Sequence, residues 1–165
     1  MIATLESAIG DLWISGGNEA IDFVSWRPLD GIMHQGELDW ILKGLDGYFQ
    51  GNSCGLPGSL LFMGTGTLWV RYPRVTTPFM NAQKILVTIE QIPYGYTRSY
   101  SEVAAAAGNP GSARAVGSVC RFNPLPILIP CHRVVGHNSL GGYSPGIHLK
   151  ENLLKLEGSL GSLQG

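Results

Sequence analysis

Residues 123–143 read NPLPILIPCHRVVGHNSLGGY and join a stiff apolar approach to a cysteine, a histidine and a glycine-containing loop. Proline fixes φ and removes a backbone donor, so the approach has few conformations. The prolines are Pro124, Pro126 and Pro130. The segment leads directly to Cys131 and His132, which predicts a reactive thiol held in a defined place above a small pocket.

The Cys131–His132 pair constrains how the thiol could be activated. In an extended segment, successive side chains point to opposite faces, so contact would need a turn or a bridging water. The thiolate is the nucleophilic form, and a free cysteine has a pKa of about 8.5. His132 is the natural base, and a third group must orient it. A structural thiol beside a solvated His132 is the alternative for the pair taken alone.

A second candidate group lies near the end of the chain. Leucines at helical spacing predict a helix over residues 147–156, closed by Gly158. Lys150 and Glu157 are two turns apart and share a face of this segment. Because a carboxylate in a last turn opposes the helix dipole, Glu157 is expected to have a partner such as an imidazole.

The middle of the second half has a helix-turn-helix pattern. Ser99 and Glu102 form a capping box for a helix over residues 100–107, which stops at the 108–111 turn. Ser112 is predicted to cap a third helix. The polar residues that lie outside the apolar face of this helix are Arg114, Ser118 and Arg121. Its small residues, Ala115, Gly117 and Ser118, would allow the helix to approach a groove closely. A DNA-binding element and two packed core helices both fit this pattern.

The first half predicts a supporting α/β unit. Apolar runs around glycine turns indicate strands over residues 2–5, 12–14 and 20–24, and a helix is expected over 37–49. Residues 68–72 are a predicted strand. Thr77 as N-cap and Pro78 at the first position predict a helix over residues 78–91. The tryptophans, Trp13, Trp26, Trp40 and Trp69, are interpreted as core residues.

Composition limits the classes of protein that this chain could be. It has 165 residues, 44% hydrophobic content and three cysteines, which are too few for a disulfide framework. No pair of these cysteines (Cys54, Cys120, Cys131) has zinc-ligand spacing, so no metal site is expected. Three histidines, His34, His137 and His148, are interpreted as solvated or core-edge residues. The start lacks a basic segment, and no apolar run could span a membrane, which favours a cytoplasmic protein.

Charge differs between the two halves. The net charge of −1 divides into −4 over residues 1–78 and +3 over residues 79–165. Phosphate binding requires only a local basic face, so the second half is the better candidate for contact with nucleic acid. Ordinary fluctuation of charge along the chain would explain the same difference.

Several motifs together resemble one family. The run Pro130-Cys131-His132-Arg133-Val134 resembles the active-site signature of the O6-alkylguanine-DNA alkyltransferases. The resemblance extends, in family order, to IPYG (92–95), SY (99–100), RAVG (114–117), NP (123–124), GYS (142–144) and KENLLKLEG (150–158). It covers residues 77–158, about half of the chain.

The resemblance implies an α/β (α+β) fold with two domains. These would be a small N-terminal antiparallel-sheet domain over residues 1–76 and a winged helix-turn-helix-like domain over 77–158. Residues 159–165 are expected to be a flexible tail. Residue roles also follow from the resemblance. The expected catalytic residues are Cys131, His132, Glu157, Tyr100, Asn123 and Lys150; the expected DNA-binding residues are Arg114, Ala115, Gly117, Ser118, Arg121 and Tyr100; the expected pocket residues are Val134, Tyr143, Ser144, Pro126 and Pro145.

The implied activity is direct-reversal repair of double-stranded DNA that carries O6-alkylguanine. The base would be flipped from the minor groove, and its alkyl group would move to Cys131 in a single-use reaction by a monomer without a cofactor. Two departures stand out, a loop between Cys131 and Tyr143 that is one residue shorter than in many members, and Pro145 where glycine is frequent. Cys120 is interpreted as a small apolar filler.

Three other classes of protein compete with this interpretation. A non-catalytic lesion binder of the alkyltransferase-like type would lack the nucleophile, and Cys131 argues against it. A winged-helix regulator would not need the Cys-His-Glu set. A cysteine hydrolase would need an oxyanion site, for which the sequence has no motif.

Overall fold

The computed structural model describes residues 1–17, 21–33, 36–52 and 81–163, and the chain forms two compact units, Met1–Arg74 and Val75–Gly165. The predicted strand over residues 68–72 lies outside the described residues. So do Thr77 and Pro78, together with Trp69, Cys54 and His34. The domain limits at 76, 77 and 158 remain predictions.

An antiparallel sheet forms the first unit, as the glycine turns predict. Strands β1 (Ile2–Leu5), β2 (Leu12–Gly16) and β3 (Ile21–Ser25) lie in the order β1-β2-β3. Ile2 pairs with Ser15 and Leu5 with Leu12, and the register shifts between Ser15 and Gly16. Alternate residues of β2 are buried, which gives the sheet one core face.

Helix α1 (Asp39–Phe49) packs against β1 and follows a short 3-10 turn over Gly36–Leu38. Its buried residues Ile41, Leu45 and Tyr48 recur at helical spacing, and Gly51 ends it at φ +85°. The interpretation of the tryptophans as core needs correction. Trp13, Trp26 and Trp40 are only half-buried. Each of these tryptophans is therefore partly exposed to solvent and is not a fully buried core residue.

Helix α2 (Ala82–Glu90) opens the described part of the second unit. Its N-cap is Asn81, whose φ of +73° is a left-handed conformation, and the predicted start at Thr77 and Pro78 lies outside the described residues. Ala82, Leu86 and Ile89 recur at helical spacing and are buried.

Helices α3 (Tyr100–Ala106) and α4 (Ala113–Arg121) pack against each other across a short turn. The Ser99–Glu102 capping box is formed, which is worth about 0.5–2 kcal/mol of helix stability. Ser112 occupies the predicted N-cap position of α4, but its side chain makes no cap hydrogen bond. The buried face of α4 is Val116 and Val119, which leaves its polar residues on the other side.

The proline-containing segment ends in a turn and is not extended. A 3-10 turn over Cys131–Arg133 leads into β5 (Val134–Val135), which pairs in parallel with β4 (Arg98–Ser99). Helix α5 (Ile147–Leu156) packs on the 3-10 turn and is followed by Gly158 at φ +71°, as predicted. This arrangement brings the Cys131 turn, α4 and the end of α5 into one region.

The expectation of a flexible tail from residue 159 needs correction. Ser159 is buried, its hydroxyl donates to the carbonyl of Leu154, and Leu160–Leu163 form a 3-10 helix. This part of the tail therefore folds against α5. Among the described residues, no helix is long and apolar enough to cross a membrane. The predicted fold class, a mixed α/β chain with a small antiparallel sheet and a helix-turn-helix, is confirmed.

Candidate active site

The Cys131 thiol lies at the start of the 3-10 turn and is 4% exposed. Its Sγ accepts a hydrogen bond from Asn123 Nδ2 at 3.1 Å, and the same amide donates to the Ile129 carbonyl at 2.8 Å. Asn123 lies two residues after α4, so its hydrogen bonds link the end of that helix to the cysteine segment. Burial raises the pKa of the Cys131 thiol, while the Asn123 hydrogen bond and the Lys150 charge oppose the rise.

His132 and Glu157 form a buried pair. His132 Nε2 lies 2.8 Å from Glu157 Oε1, and both side chains are fully buried. Burial lowers the pKa of His132, because a charged imidazole would lose its hydration, and Glu157 only partly opposes this. Glu157 therefore has the imidazole partner that its unfavourable place at the helix end predicts.

Arg133 is the functional side chain that sequence reasoning missed. Its Nε and Nη2 donate to the two oxygens of Glu157, each at 2.9 Å, and the side chain is buried. Burial alone would raise the pKa of Glu157, but the hydrogen bonds and charges of His132 and Arg133 lower it to about 2. Its presence in the Pro130–Val134 signature was the available signal, but arginine is normally a surface residue.

Lys150 is wholly buried in α5. Its Nζ donates to the carbonyls of Val134 at 2.6 Å and Gly142 at 3.2 Å, and so joins the cysteine segment to the glycine loop. Burial lowers the pKa of Lys150 to about 8, although the Cys131 thiol opposes the shift. From helix α5, Lys150 thus holds the Val134 and Gly142 backbones in place.

Tyr100, the first residue of α3, lines a cleft of about 460 Å³. Its hydroxyl donates to the Gly142 carbonyl at 3.4 Å, and Lys150 Nζ lies 6.0 Å from its ring centre. Burial, with a smaller contribution from Cys120, raises the pKa of Tyr100 to about 12. The phenol therefore keeps its proton at neutral pH and can donate it.

The cleft brings together part of the predicted set. Its lining residues are Tyr100, Gly117, Cys120, Arg121, Gly142, Tyr143 and Ser144. Cys120 borders the cleft, and its interpretation as a small apolar filler stays a prediction. Within the described part of the chain, Val134, Pro126 and Pro145 do not line this cleft. Pro126 is buried in the segment before the cysteine, and Pro145 follows the wall residue Ser144.

The other predicted DNA-binding residues lie elsewhere on α4. Arg114 is exposed, and Ser118 is half-buried. Ala115 borders a separate cavity of about 30 Å³ between α2, α3 and α4, so it faces its neighbours more than solvent. The exposed residues of α4 are Arg114 and Arg121, which lie near its two ends.

Replacing Gly141 with alanine should move Tyr100 and so slow the alkyl transfer that the family resemblance implies. Gly141 has φ +68°, and an added Cβ would lie 2.7 Å from the Tyr100 hydroxyl oxygen. We expect a stability loss of about 1–2 kcal/mol from the backbone alone, and a lower transfer rate from the displaced phenol. Melting temperature and single-turnover rate measure the two effects, with Gly161→Ala, which meets no neighbour, as control. An unchanged rate would show that the position of Tyr100 is not needed.

Comparison with known proteins identifies the family. Residues 80–159 match the model of the 6-O-methylguanine DNA methyltransferase DNA-binding domain. A methylated-DNA–protein-cysteine methyltransferase of Methanosarcina acetivorans is 33% identical over 95% of this chain and 97% of its own length. The constitutive enzyme of that name from Bacillus subtilis is 49% identical over 49% of each chain. The crystal structure of Mycobacterium tuberculosis OGT in complex with DNA superimposes with a TM-score of 0.73 at 33% identity, covering 94% of this chain and 91% of the other. This chain belongs to the methylated-DNA–protein-cysteine methyltransferase family.

Proposed function

We propose that this protein repairs DNA by direct reversal, moving a methyl group from O6 of guanine to its own Cys131. The observation that carries the proposal is the geometry at Cys131. A free thiol held by Asn123 sits in the same turn as an imidazole that lies 2.8 Å from a buried carboxylate. A nucleophile, a base and a group that orients the base are the parts that covalent transfer requires. The predicted N-terminal domain, residues 1–76, has a supporting role in this proposal.

Access to the lesion requires base flipping. An alkylated base inside a duplex is out of reach of a buried thiol, and extrusion costs a few kcal/mol of unstacking. In our proposal α4 enters the minor groove with Ala115, Gly117 and Ser118 allowing close approach. The exposed Arg114 takes the place of the flipped base, and Arg121 and Tyr100 contact the strand at the mouth of the cleft.

The chemical step is an in-line displacement. The bond between sulfur and the methyl carbon forms as the bond between that carbon and O6 breaks. The thiol proton passes to His132, directly or through a water molecule, and Glu157 holds the imidazole in place. Guanine is a poor leaving group as an anion, so it takes a proton from Tyr100 at N3 and leaves neutral. His132 then returns its proton to the Tyr100 phenolate through solvent, which balances the reaction.

The pocket for the flipped base uses backbone acceptors and the cleft wall. The carbonyls of Cys131 and Val134 accept from the base amino group, and Tyr143 and Ser144 contact O6. Val134 already accepts from Lys150, but a carbonyl oxygen has two lone pairs and can accept a second donor. Pro126 and Pro145 belong to this pocket in the proposal on the family resemblance alone, since neither lines the cleft.

The product is a thioether, which has no leaving group that would regenerate the thiol. Each chain therefore acts once, and the reaction needs no cofactor. We place the protein in the cytoplasm as a monomer acting on double-stranded DNA. The described residues contain no cluster of histidine, cysteine and carboxylate side chains that could hold a metal ion.

Quantitative digestion of a treated oligonucleotide tests this function. A duplex with one O6-methylguanine is mixed with increasing amounts of protein and then digested to nucleosides. We expect one molecule of O6-methylguanine to be converted to guanine for each molecule of protein, with no further conversion at longer times. Repeated turnover, or conversion to a product other than guanine, would contradict the proposal.

Pro145 should make the pocket selective for small alkyl groups. Proline restricts the backbone beside Ser144, so bulky O6-benzylguanine should react more slowly than O6-methylguanine in DNA. Pro145→Gly should raise the benzylguanine rate and change the methyl rate little. Competition between the two substrates, measured in both proteins, gives the ratio. The idea is wrong if the substitution leaves the benzylguanine rate unchanged.

A further inference from the structure

Arg133 is a buried cation with a carboxylate partner and a backbone partner. Its Nε and Nη2 each donate to Glu157 at 2.9 Å, and its Nη1 donates to the Ile92 carbonyl at 2.6 Å. Its guanidinium carbon lies 5.8 Å from the centre of the Tyr94 ring. Two parallel hydrogen bonds from one guanidinium fix a carboxylate in both position and orientation.

Glu157 is consequently an ionised acceptor with a fixed direction. Besides Arg133, it lies 2.8 Å from His132 Nε2 and accepts from the Gly95 amide at 3.4 Å. An ionised carboxylate can only accept, so the hydrogen on His132 resides on Nε2. In the neutral imidazole Nδ1 is then the basic nitrogen that takes a proton.

Charge adds a second consequence to this geometry. A carboxylate that faced His132 alone would favour the imidazolium, which cannot accept a proton. Arg133 neutralises that carboxylate from its other side and so removes the bias toward the charged imidazole. The positive charge of Arg133 also favours loss of the proton from the Cys131 sulfur. Its effects on Cys131 and on His132 therefore both favour removal of the first proton from the pair.

We propose that Arg133 is a positioning residue that aims Glu157 at His132 and keeps the Cys131–His132 pair ready to give up the thiol proton. The inference rests on the function proposed above and adds to it a residue that does not touch the substrate. It requires that the pair lose its first proton at a higher pH when the arginine charge is removed.

Other charged groups surround the pair and stay constant in the test. Lys150 of α5 lowers the pKa of His132 as Arg133 does, although burial is the larger cause. The remaining titratable neighbours are Tyr94 after α2, Tyr100 of α3 and Cys120 of α4, whose pKa values are all raised by burial, so they stay uncharged. Helix α2 also packs on the 3-10 turn and carries Lys84 at an exposed and Glu90 at a half-buried position.

The test is the pH dependence of single-turnover methyl transfer in Arg133→Met. With excess O6-methylguanine duplex, rates are measured between about pH 5 and 9, a range that extends below the ordinary histidine pKa because burial lowers the pKa of His132. We expect the acid limb to move up by about one pH unit or more, which makes the variant roughly tenfold slower at acidic pH. At alkaline pH the deficit should shrink. Arg133→Lys keeps the positive charge but loses the paired hydrogen bonds to Glu157. The acid limb of its pH–rate profile should therefore stay at the wild-type pH. Lys155→Met, which removes an exposed charge from α5, is the control.

A deficit of equal size at every pH would overturn the inference, because a purely structural role predicts it. A charge-retaining Arg133→Lys whose acid limb moves as far as that of Arg133→Met would also overturn it. If Arg133→Met does not fold, the protonation state of His132 is measured in the wild type from the NMR chemical shifts of its ring nitrogens. We expect the neutral, Nε2-protonated imidazole near neutral pH, and an imidazolium there would contradict us. A wild type that transfers no methyl group at any pH would refute the proposed function itself.

Discussion

Cys131→Ser should abolish methyl transfer and leave binding to duplex DNA unchanged. Serine fills nearly the same volume at a site that is 4% exposed, and its hydroxyl can still accept from Asn123 Nδ2. A hydroxyl is far less acidic than a thiol, so it supplies no usable anion near neutral pH. Transfer is followed by the methyl count on the protein, and binding by fluorescence anisotropy of a labelled duplex.

The matched control for this substitution is Cys54→Ser, which removes a thiol from the first half of the sequence and should transfer at the wild-type rate. Cys120 is the alternative acceptor that would contradict this prediction, because its thiol borders the cleft. If Cys131→Ser still accepted a methyl group, the acceptor would be another residue, and the site would have to be rebuilt around it.

Glu157→Gln should cost both stability and activity. The change leaves Arg133 buried without a counter-charge, and breaking a buried pair from one side typically costs about 3–5 kcal/mol. It also removes the acceptor that orients His132, so the transfer rate should fall in the protein that remains folded. Thermal unfolding and single-turnover rates measure the two losses. Glu151→Gln, on the same helix, is the control and should change neither.

The pH dependence of stability provides a separate check on Glu157. Its pKa is about 2 in the folded protein and has an ordinary value of 4.5, so folding favours the ionised form. The stabilisation is therefore complete above about pH 5 and is lost as the pH falls toward 2. We expect the unfolding free energy of the wild type to fall over this range, and that of Glu157→Gln to fall less. Equal slopes would mean that Glu157 is not ionised in a stabilising pair.

Local rules were sufficient to predict much of the fold. Glycine turns between short apolar runs gave the β1–β3 meander, and the Ser99–Glu102 box marked the start of α3. These features depend on neighbours in sequence, so a single chain contains the information. Ser112 shows where such rules fail, because it stands at the N-cap of α4 but its side chain makes no capping hydrogen bond.

The site was predictable where the residue types themselves carry chemistry. Cys131, His132 and Glu157 were expected to act together, and the structure places His132 and Glu157 in contact. The role of Arg133 was not predictable, because nothing local shows that its side chain turns inward to a carboxylate 24 residues away. Likewise, α4 residues share one helix, but only Gly117, Cys120 and Arg121 reach the cleft, since helix rotation depends on the packing of α2 and α3.

Intact-mass spectrometry tests the central claim most directly. The wild-type protein is mixed with an oligonucleotide duplex that carries O6-methylguanine, and the modified chain is then digested and mapped. Our account predicts one added methyl group per chain, located on Cys131 and absent from Cys131→Ser. An unchanged mass with retained preference for the damaged duplex would contradict it and would make the protein a non-catalytic lesion binder.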